Sequence, residues 1–235
     1  MDFYTLTTTC CQIELRKLFK GGFSTGHGVL REPNGIGSYA ALACIAIQSN
    51  QNDQHGGQSV CDFDYGLAIG VAKTYRTMYR KHLAEALELL TDVEEPKAFA
   101  KELLERVEAQ TGKQATLAMD ETFESTLRQS LVESGIYAPV VDRCLSYTAK
   151  QAVADTDRTT FQAMEALVHN LNTMHSRAGA QTPFSSINYG MDTSEEGRMV
   201  IKNILLATEE GLGSGETPIF PVQIFRVKEG VNYAP

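Results

Sequence analysis

Apolar residues recur at helical spacing through the middle of the chain. Residues 65–90 place them near i, i+4 and i+7, and 159–174 forms one apolar stripe. Such spacing puts apolar side chains on one face of a helix, where they pack into a core. Further helices are predicted over 38–51, 95–110, 121–134, 140–153 and 195–210. The chain therefore has a long helical middle.

Strand-like segments lie on either side of this helical middle. Aromatic and β-branched residues predict strands over 3–15, 59–63 and 183–189, and a buried strand over 219–227. The glycines of 20–37 predict a loop. Strands that alternate with helices favour a parallel sheet. We therefore expect an α/β fold with a large helical insertion.

Several residues predict where helices begin and end. Pro96 suits the first turn of a helix, and Ser194 is a good N-cap for the helix over 195–210. Gly211 follows that helix as a terminator. Pro139 is expected to interrupt the helical pattern before 140.

Composition narrows the class of protein. The net charge of −8 and the pI near 5.2 argue against a nucleic-acid-binding surface, which needs clustered cations. Five cysteines, an odd number without a CxxC pair, predict neither a disulfide framework nor a metal site. The start of the sequence lacks signal-peptide features, and no apolar run reaches the ~18 residues of a membrane span. We expect a cytoplasmic protein of a reducing compartment, without membrane contact.

Cys10 and Cys11 are adjacent in the first predicted strand, so their side chains point to opposite faces. Cys10 shares its face with Gln12 and Glu14, and Cys11 shares the apolar face of Ile13. If the apolar face packs on helices, Cys10 points toward a polar interior. The alternative is that both are small buried residues, the common fate of free cysteine.

Two loops have the composition of nucleotide contacts. In 52–59, two glycines after a helix let backbone amides approach an anion, with His55 and Gln58 as hydrogen-bonding groups. In 177–181, Arg177 offers a planar donor fork for phosphate, Gly179 allows close approach, and Gln181 can contact a base or a ribose. Each loop is also compatible with an ordinary connection between elements.

Six segments together resemble the anaerobic (class III, glycyl-radical) ribonucleoside-triphosphate reductases, in the large catalytic subunit. They are TTTCCQIEL (7–15), NDQHGGQS (52–59), SRAGAQTPFSSINYG (176–190), EGRMVIKN (196–203), GLGSGETPIFPVQIF (211–225) and KEGVNY (228–233). The resemblance implies radical reduction of NTPs to dNTPs for DNA synthesis. It also implies part of a ten-stranded α/β barrel. Because such subunits are much longer than 235 residues, we expect an internal piece covering roughly the first half of that barrel.

The resemblance also implies roles for particular residues. A cysteine of the first barrel strand faces the ribose three residues before a hydrophobic-acid-Leu triplet, which selects Cys10. Thr9 is a weaker substrate contact. The two loops correspond to those beside the substrate and effector sites, and Arg177 and Gln181 are the best relay candidates. The loop residues so implied are His55, Gly56, Gly57, Gln58, Arg177, Ala178, Gly179, Ala180 and Gln181.

Further cofactors and partners follow only from the resemblance. It implies a glycyl radical generated by an S-adenosylmethionine/iron–sulfur activase, a structural zinc in a missing C-terminal part, and ATP or dNTP effectors. It implies a homodimer built by the helical region. The expected segments are 1–64 (barrel strand, loop and helix), 65–174 (dimerisation and effector region) and 175–235 (barrel strands and specificity loop). The thiyl and glycyl radical residues are not found, so we expect no turnover by this chain alone.

Two other readings compete with this one. In the first, the chain is a nucleotide-binding and dimerisation module without chemistry. In the second, it is part of another glycyl-radical enzyme, with an acyl or diol substrate. Effector binding that survives Cys10→Ser would mark the first alternative. The two nucleotide-loop motifs argue against the second.

Overall fold

The computed structural model describes residues 10–26, 28–54, 56–175 and 181–234. Helices and short strands alternate along the chain, as the sequence pattern predicts. In chain order they are β1 Cys11–Ile13, α1 Leu15–Phe19, β2 Phe23–Ser24, β3 Val29–Leu30, α2 Ile36–Asp53, β4 Gln58–Val60, α3 Phe63–Leu90, α4 Pro96–Thr111, α5 Glu121–Glu133, α6 Ala138–Thr173, β5 Ser185–Tyr189, α7 Glu195–Glu210 and β6 Val222–Phe225.

The chain divides into two compact units. Unit 1 contains residues 1–71 and 159–235, and unit 2 contains residues 72–158. The strands named above belong to unit 1, and the boundaries between the units fall within α3 and α6. Within the described ranges, no helix combines the length and apolar character needed to cross a membrane.

Unit 1 is built on a four-stranded parallel sheet with the order β1-β4-β5-β6. Parallel pairing confirms the α/β prediction, since each connection between these strands contains a helix. Across the sheet Cys11 pairs with Gln58, which pairs with Ser185. The predicted loop over 20–37 was incomplete, because β2 and β3 form a short antiparallel pair. Two-residue strands are too short to leave a sequence pattern.

The two faces of the sheet have different surroundings. Three aligned apolar side chains on one face are buried: Ile13, Val60 and Ile187. Their chain neighbours on the opposite face are exposed or half-buried: Gln12, Ser59 and Ser186. Because strand residues alternate between faces, one face packs into the core of unit 1. The other is a polar face.

β6 differs from the buried strand that its composition predicts. Val222, Ile224 and Phe225 are all exposed. β6 is the last strand of the sheet and pairs only with β5 among the described residues. Gln223 lies on the core side and donates to Thr208 Oγ1 at 2.6 Å, while accepting from the Tyr189 hydroxyl at 2.7 Å. An apolar run therefore predicted the strand correctly and its burial wrongly.

α6 is one continuous helix, whereas the sequence predicted separate helices over 140–153 and 159–174. The break expected before residue 140 is present, between α5 and α6. Pro139 is the second residue of the helix, where its missing N–H would have no intrahelical partner. Helical residues of α6 belong to both units. In unit 1 its buried stripe consists of Met164, Leu167, Val168 and Leu171.

Unit 2 is a helical assembly with an apolar core. Its largest buried side chains are Tyr75, Tyr79, Leu83, Leu87, Leu103, Phe123, Leu127 and Leu131. Pro96 lies in the first turn of α4 as predicted. The helix ends at Thr111, and the following Gly112 has a φ of 65°, which favours glycine. Asp120 caps α5 by accepting from Thr122 N and Phe123 N. Those backbone hydrogen bonds, led by Phe123 N, lower the pKa of Asp120.

His82 is a buried polar residue of unit 2, with an exposed fraction of 5%. Its ring nitrogens lie 2.7 Å from Glu85 Oε2 and 2.9 Å from Asp155 Oδ2. Burial acts to raise the pKa of Asp155, but hydrogen bonds from His82 and Lys81 hold that pKa below its ordinary value. Both ring nitrogens of His82 are thus within hydrogen-bond distance of a carboxylate.

Candidate functional site

A cavity of about 580 Å³ lies at the amino-terminal ends of the parallel strands in unit 1. We call it the strand-end cavity. β1 contributes 10–12, β4 contributes 57–59, β5 contributes 184–186, and the β6 segment contributes Phe220 and Val222. Two thiols, three hydroxyl groups, two side-chain amides and two aromatic rings therefore border one concavity. Such a mixed lining is typical of small-molecule sites.

Cys10 is exposed at the edge of this cavity, immediately before β1. Its alternation partner Gln12 is exposed, whereas Ile13 on the other face is 8% exposed. This placement agrees with the face expected for Cys10 from sequence. A thiol in this position is accessible to a molecule that enters the cavity.

Phe184 and Phe220 form the aromatic part of the lining. Their ring centroids are 5.0 Å apart at an interplanar angle of 64°. Asn172 near the end of α6 accepts hydrogen bonds from Ile219 N at 2.9 Å and Phe220 N at 3.0 Å, and donates to Phe220 O. A side chain of α6 therefore fixes the backbone that carries Phe220.

Gln58 and Ser185 lie beside each other in register beneath the cavity, and both are buried, with exposed fractions of 1% and 3%. Gln58 Nε2 donates to Gly56 O at 3.5 Å. Within the described part of the chain, Gln58 Oε1 and Ser185 Oγ have no hydrogen-bond partner. Buried polar atoms usually have partners, and exceptions often mark functional positions.

The carboxyl-terminal ends of the strands are closed by two aspartates that follow β4. Asp62 is 5% exposed and accepts from Leu15 N at 2.8 Å, Arg16 N at 3.2 Å and Arg16 Nε at 3.1 Å. It therefore fastens the start of α1, directly after β1, to the end of β4. Carboxylates satisfy backbone amides at a helix start in this way.

Asp64 makes the corresponding connection to β5. Its side chain is 1% exposed, and Oδ2 accepts from the three successive amides of Gly190, Met191 and Asp192 at 2.8–2.9 Å. Tyr65 adds a hydrogen bond from its hydroxyl to Met191 O at 2.8 Å. Gly190 has a φ of 108°, which favours glycine at this turn. The end of β5 is thus tied to the start of α3.

The other described cysteines lie in more enclosed positions. Burial raises the pKa of Cys44 to about 12, and burial also raises the pKa of Cys144. Burial, followed by the charge of Asp62, raises the pKa of the half-buried Cys61. The raised pKa values disfavour the thiolate form of these three cysteines, as is usual for buried structural cysteines.

Three of the residues implied by resemblance lie together in the strand-end cavity: Cys10, Gly57 and Gln58. Gly56, which precedes Gly57 in the chain, has a φ of 94°. Gln181 is half-buried and is not part of the cavity lining. The remaining candidates lie outside the described residues: Thr9, His55, Arg177, Ala178, Gly179 and Ala180.

Sequence reasoning missed Phe184, Ser185, Asp62 and Asp64. Phe184 and Ser185 lie in a segment whose composition indicates only a strand. The two aspartates had a usable signal, because they come directly after β4, and parallel neighbours end at the same edge of a sheet. Within the described ranges, no group of three or more His, Cys, Asp or Glu side chains has a metal-binding arrangement.

Comparison with known proteins decides the family. The sequence profile of the family described as anaerobic ribonucleoside-triphosphate reductase matches residues 1–235. The chain belongs to that family. The match includes the residues of the strand-end cavity and the helices of unit 2, so both units are part of the sequence that the family profile describes.

Individual relatives agree with the family match. The anaerobic ribonucleoside-triphosphate reductase of Enterobacteria phage T4 is 26% identical over 226 residues, which cover 96% of this chain and 28% of the relative. The protein of that name from Haemophilus influenzae is 25% identical over 224 residues, covering 95% of this chain and 23% of the relative. The chain therefore spans about a quarter of the length of these reductases.

Proposed function

We propose that the chain forms part of the substrate-binding core of an enzyme that reduces ribonucleoside triphosphates to deoxyribonucleoside triphosphates in the absence of oxygen. The observation that carries this proposal is the exposed Cys10 thiol, at the edge of a cavity lined by four parallel strands, in a member of this reductase family. The reaction is an oxidoreduction at the ribose 2′ carbon, and it supplies precursors for DNA synthesis.

In this proposal the Cys10 thiol faces the ribose. It assists reduction at the 2′ carbon and helps to carry the radical intermediate that follows. The face argument supports this role, since Cys11 and Ile13 lie on the side of the packed core while Cys10 and Gln12 are exposed. Thr9 and the loop residues Gly56, Gly57 and Gln58 are proposed as further substrate or effector contacts.

The four-stranded sheet is proposed to be part of a ten-stranded α/β barrel. Its parallel pairing and chain-order arrangement support this, since successive strands are neighbours throughout. The polar face that carries Gln12, Ser59 and Ser186 would then be the inner face.

The complete enzyme is proposed to act as a homodimer with ATP and dNTP effectors. Unit 2 would supply the dimer and effector surface, and 177–181 would relay effector identity to the base, with Arg177 and Gln181 as contacts. A glycyl radical, installed by an activase that uses S-adenosylmethionine and an iron–sulfur cluster, supplies the radical chemistry. The described residues do not fit the proposed structural zinc, so no step in this chain is assigned to it.

The test is anaerobic conversion of a ribonucleoside triphosphate to its deoxy form. We expect the complete reductase, with its activase, to form dNTP, whereas the 235-residue chain alone forms none. Failure of the activated complete enzyme to form any dNTP would contradict the proposed function. Turnover by the isolated chain would contradict the division of residues proposed here.

The effector role of unit 2 has a separate test. The melting temperature of the chain is measured with dATP, dGTP, dTTP, ATP and a non-nucleotide control. A ligand at ~100 times its dissociation constant, binding only the native state, adds about 2.7 kcal/mol of stability. A shift with one or two particular nucleotides supports a working effector site, and no shift with any of them contradicts one in this chain.

A further inference from the structure

Three residues lie side by side where neighbouring strands begin: Cys10, Gly57 and Phe184. Cys11 N donates to Gly57 O at 3.2 Å, and Gln58 N donates to Phe184 O at 2.8 Å. Adjacent strands are ~4.8 Å apart, so the outer two positions are separated by roughly 10 Å. Because Gly57 has no side chain, a slot about one side chain wide separates Cys10 from Phe184.

The fold does not require glycine at position 57. A Cβ atom there would have only Phe184 O within 4 Å, at 3.9 Å, which is ordinary contact. Its φ lies outside the left-handed region, whereas Gly56 has a φ of 94°. The two adjacent glycines therefore differ, since Gly56 serves backbone conformation and Gly57 leaves space. That space is open to the strand-end cavity.

Phe184 borders the slot on the side away from Cys10. Its side chain is 52% exposed, although its backbone is bonded to β4 and its ring rests against Phe220. Asn172 holds the backbone of Phe220 through two hydrogen bonds and that of the preceding Ile219 through a third. The exposed ring is thus firmly supported from behind, which is the arrangement of a stacking surface rather than of a core residue.

We infer that the slot over Gly57 holds the nucleoside part of the ribonucleotide substrate, with the base against the Phe184 ring and the ribose beside Cys10. This inference rests on the proposed function and adds Phe184 as a substrate-contacting residue. A base has an apolar π face that stacks on an aromatic side chain whatever its sequence identity. The hydroxyl side chains of Ser59 and Ser186 lie in the next row of the same face, within the same cavity.

The orientation of the nucleoside follows from the residues on the two sides of the slot, Cys10 and Phe184. Chemistry at the 2′ carbon needs the ribose next to the thiol, which leaves the base for the aromatic side. Filling the slot should therefore exclude the substrate without disturbing the sheet. Removing the ring should weaken binding while leaving the thiol accessible.

The experiment compares Gly57→Val, Phe184→Ala and Gly37→Ala in the complete, activated reductase, with CTP as the probe. Gly37 is the control, because a Cβ there would meet nothing within 4 Å and it lies in α2, away from the cavity lining. The readouts are dCTP formation, KM for CTP, and the rate at which iodoacetamide alkylates Cys10 with and without CTP. Melting temperatures report whether each variant is folded.

We expect CTP to slow Cys10 alkylation in the wild type and in Gly37→Ala, but not in Gly57→Val. Phe184→Ala should raise KM on the order of tenfold, and Gly57→Val should lower kcat/KM on the order of 100-fold. Unchanged KM and unchanged CTP protection in both cavity variants would overturn the slot. If Gly57→Val does not fold, the KM of Phe184→Ala for CTP tests the proposal by itself: a raised KM supports it, and an unchanged KM contradicts it. Absence of dCTP formation by the wild type would instead contradict the proposed function.

Discussion

The two ends of the sheet in unit 1 use polar groups in opposite ways. At the carboxyl end, Asp62 and Asp64 are nearly fully buried, and backbone amides engage their oxygens. At the amino end, Cys10 and Phe184 are exposed, and Gln58 Oε1 and Ser185 Oγ have no partner among the described residues. One end is a closed hydrogen-bonded structure, and the other is an open concavity.

This contrast reverses the usual arrangement of open parallel sheets. In those sheets the ligand binds beyond the carboxyl ends of the strands. Here the chain's own carboxylates occupy the amides that a ligand would otherwise use at that edge. Hydrogen bonds join the strands at the carboxyl end, and the amino end is open to a ligand.

The largest expected difference between the ends is in thiol reactivity. At pH 8 iodoacetamide should modify Cys10 first, Cys61 more slowly and Cys44 last, with the first and last rates differing by on the order of 100-fold or more. Raised pKa values leave Cys61 and Cys44 less thiolate at a given pH, so their labelling should increase as pH rises. Mass spectrometry of labelled peptides measures the order. Labelling of Cys44 before Cys10 would contradict the open amino end.

The second-largest expected effect is the loss of stability on removal of the Asp64 carboxylate. Asp64→Ala leaves the amides of Gly190, Met191 and Asp192 without their acceptor. Because unsatisfied buried donors are costly, we expect a loss of about 3 kcal/mol in the free energy of unfolding. Asp64→Asn retains one carbonyl oxygen and should lose less. Urea denaturation measures both, and equal stability of the alanine variant and the wild type would refute this role.

A smaller effect separates the two glycines of the amino end. Gly56→Ala forces a side chain into a left-handed conformation and should cost about 1–2 kcal/mol. Gly57→Ala meets no such strain and should stay within ~0.5 kcal/mol of the wild type. Thermal or urea unfolding of the two variants provides the comparison. A larger loss for Gly57→Ala would show that position 57 serves the fold and not the cavity.

The smallest effect concerns the cap of α7, which follows the carboxyl end of β5. Ser194 Oγ accepts from Gly197 N at 3.0 Å. Ser194→Ala should cost about 1 kcal/mol, and Ser194→Asp should restore most of it, because aspartate also caps helices well. If the alanine variant is as stable as wild type by urea denaturation, the cap contributes nothing to this end.

Sequence reasoning located the elements better than their surroundings. The period of apolar residues predicted the longer helices, but not the short α1. The alternation of helices with strands predicted the parallel sheet, and the cap at Ser194 is present as expected. Sequence reasoning divided α6 into two shorter helices, although the break it placed before residue 140 is present between α5 and α6. The burial of β6 was wrong, because burial depends on what packs against a strand and not on the strand's own residues.

The candidate site was predictable only in part. Strand alternation was enough to place Cys10 and Cys11 on opposite faces, because that argument needs only the period of the strand. The choice of Cys10 as the redox thiol depended on the family resemblance and stays a prediction. The slot over Gly57 was not predictable, since it depends on which residues of β1 and β5 lie beside that glycine. Likewise Phe184 gave an ordinary strand signal, and only its exposure and its support by Phe220 distinguish it from a core residue.

The central claim is that the amino end of the sheet carries the reducing thiol, and that this thiol is Cys10. The most direct measurement is anaerobic dNTP formation by the complete, activated reductase carrying Cys10→Ser, beside the adjacent variant Cys11→Ser. The account predicts that Cys10→Ser abolishes dNTP formation while binding of the ribonucleotide persists, and that Cys11→Ser retains most of the activity. Full activity in Cys10→Ser, or loss of activity in Cys11→Ser alone, would contradict it.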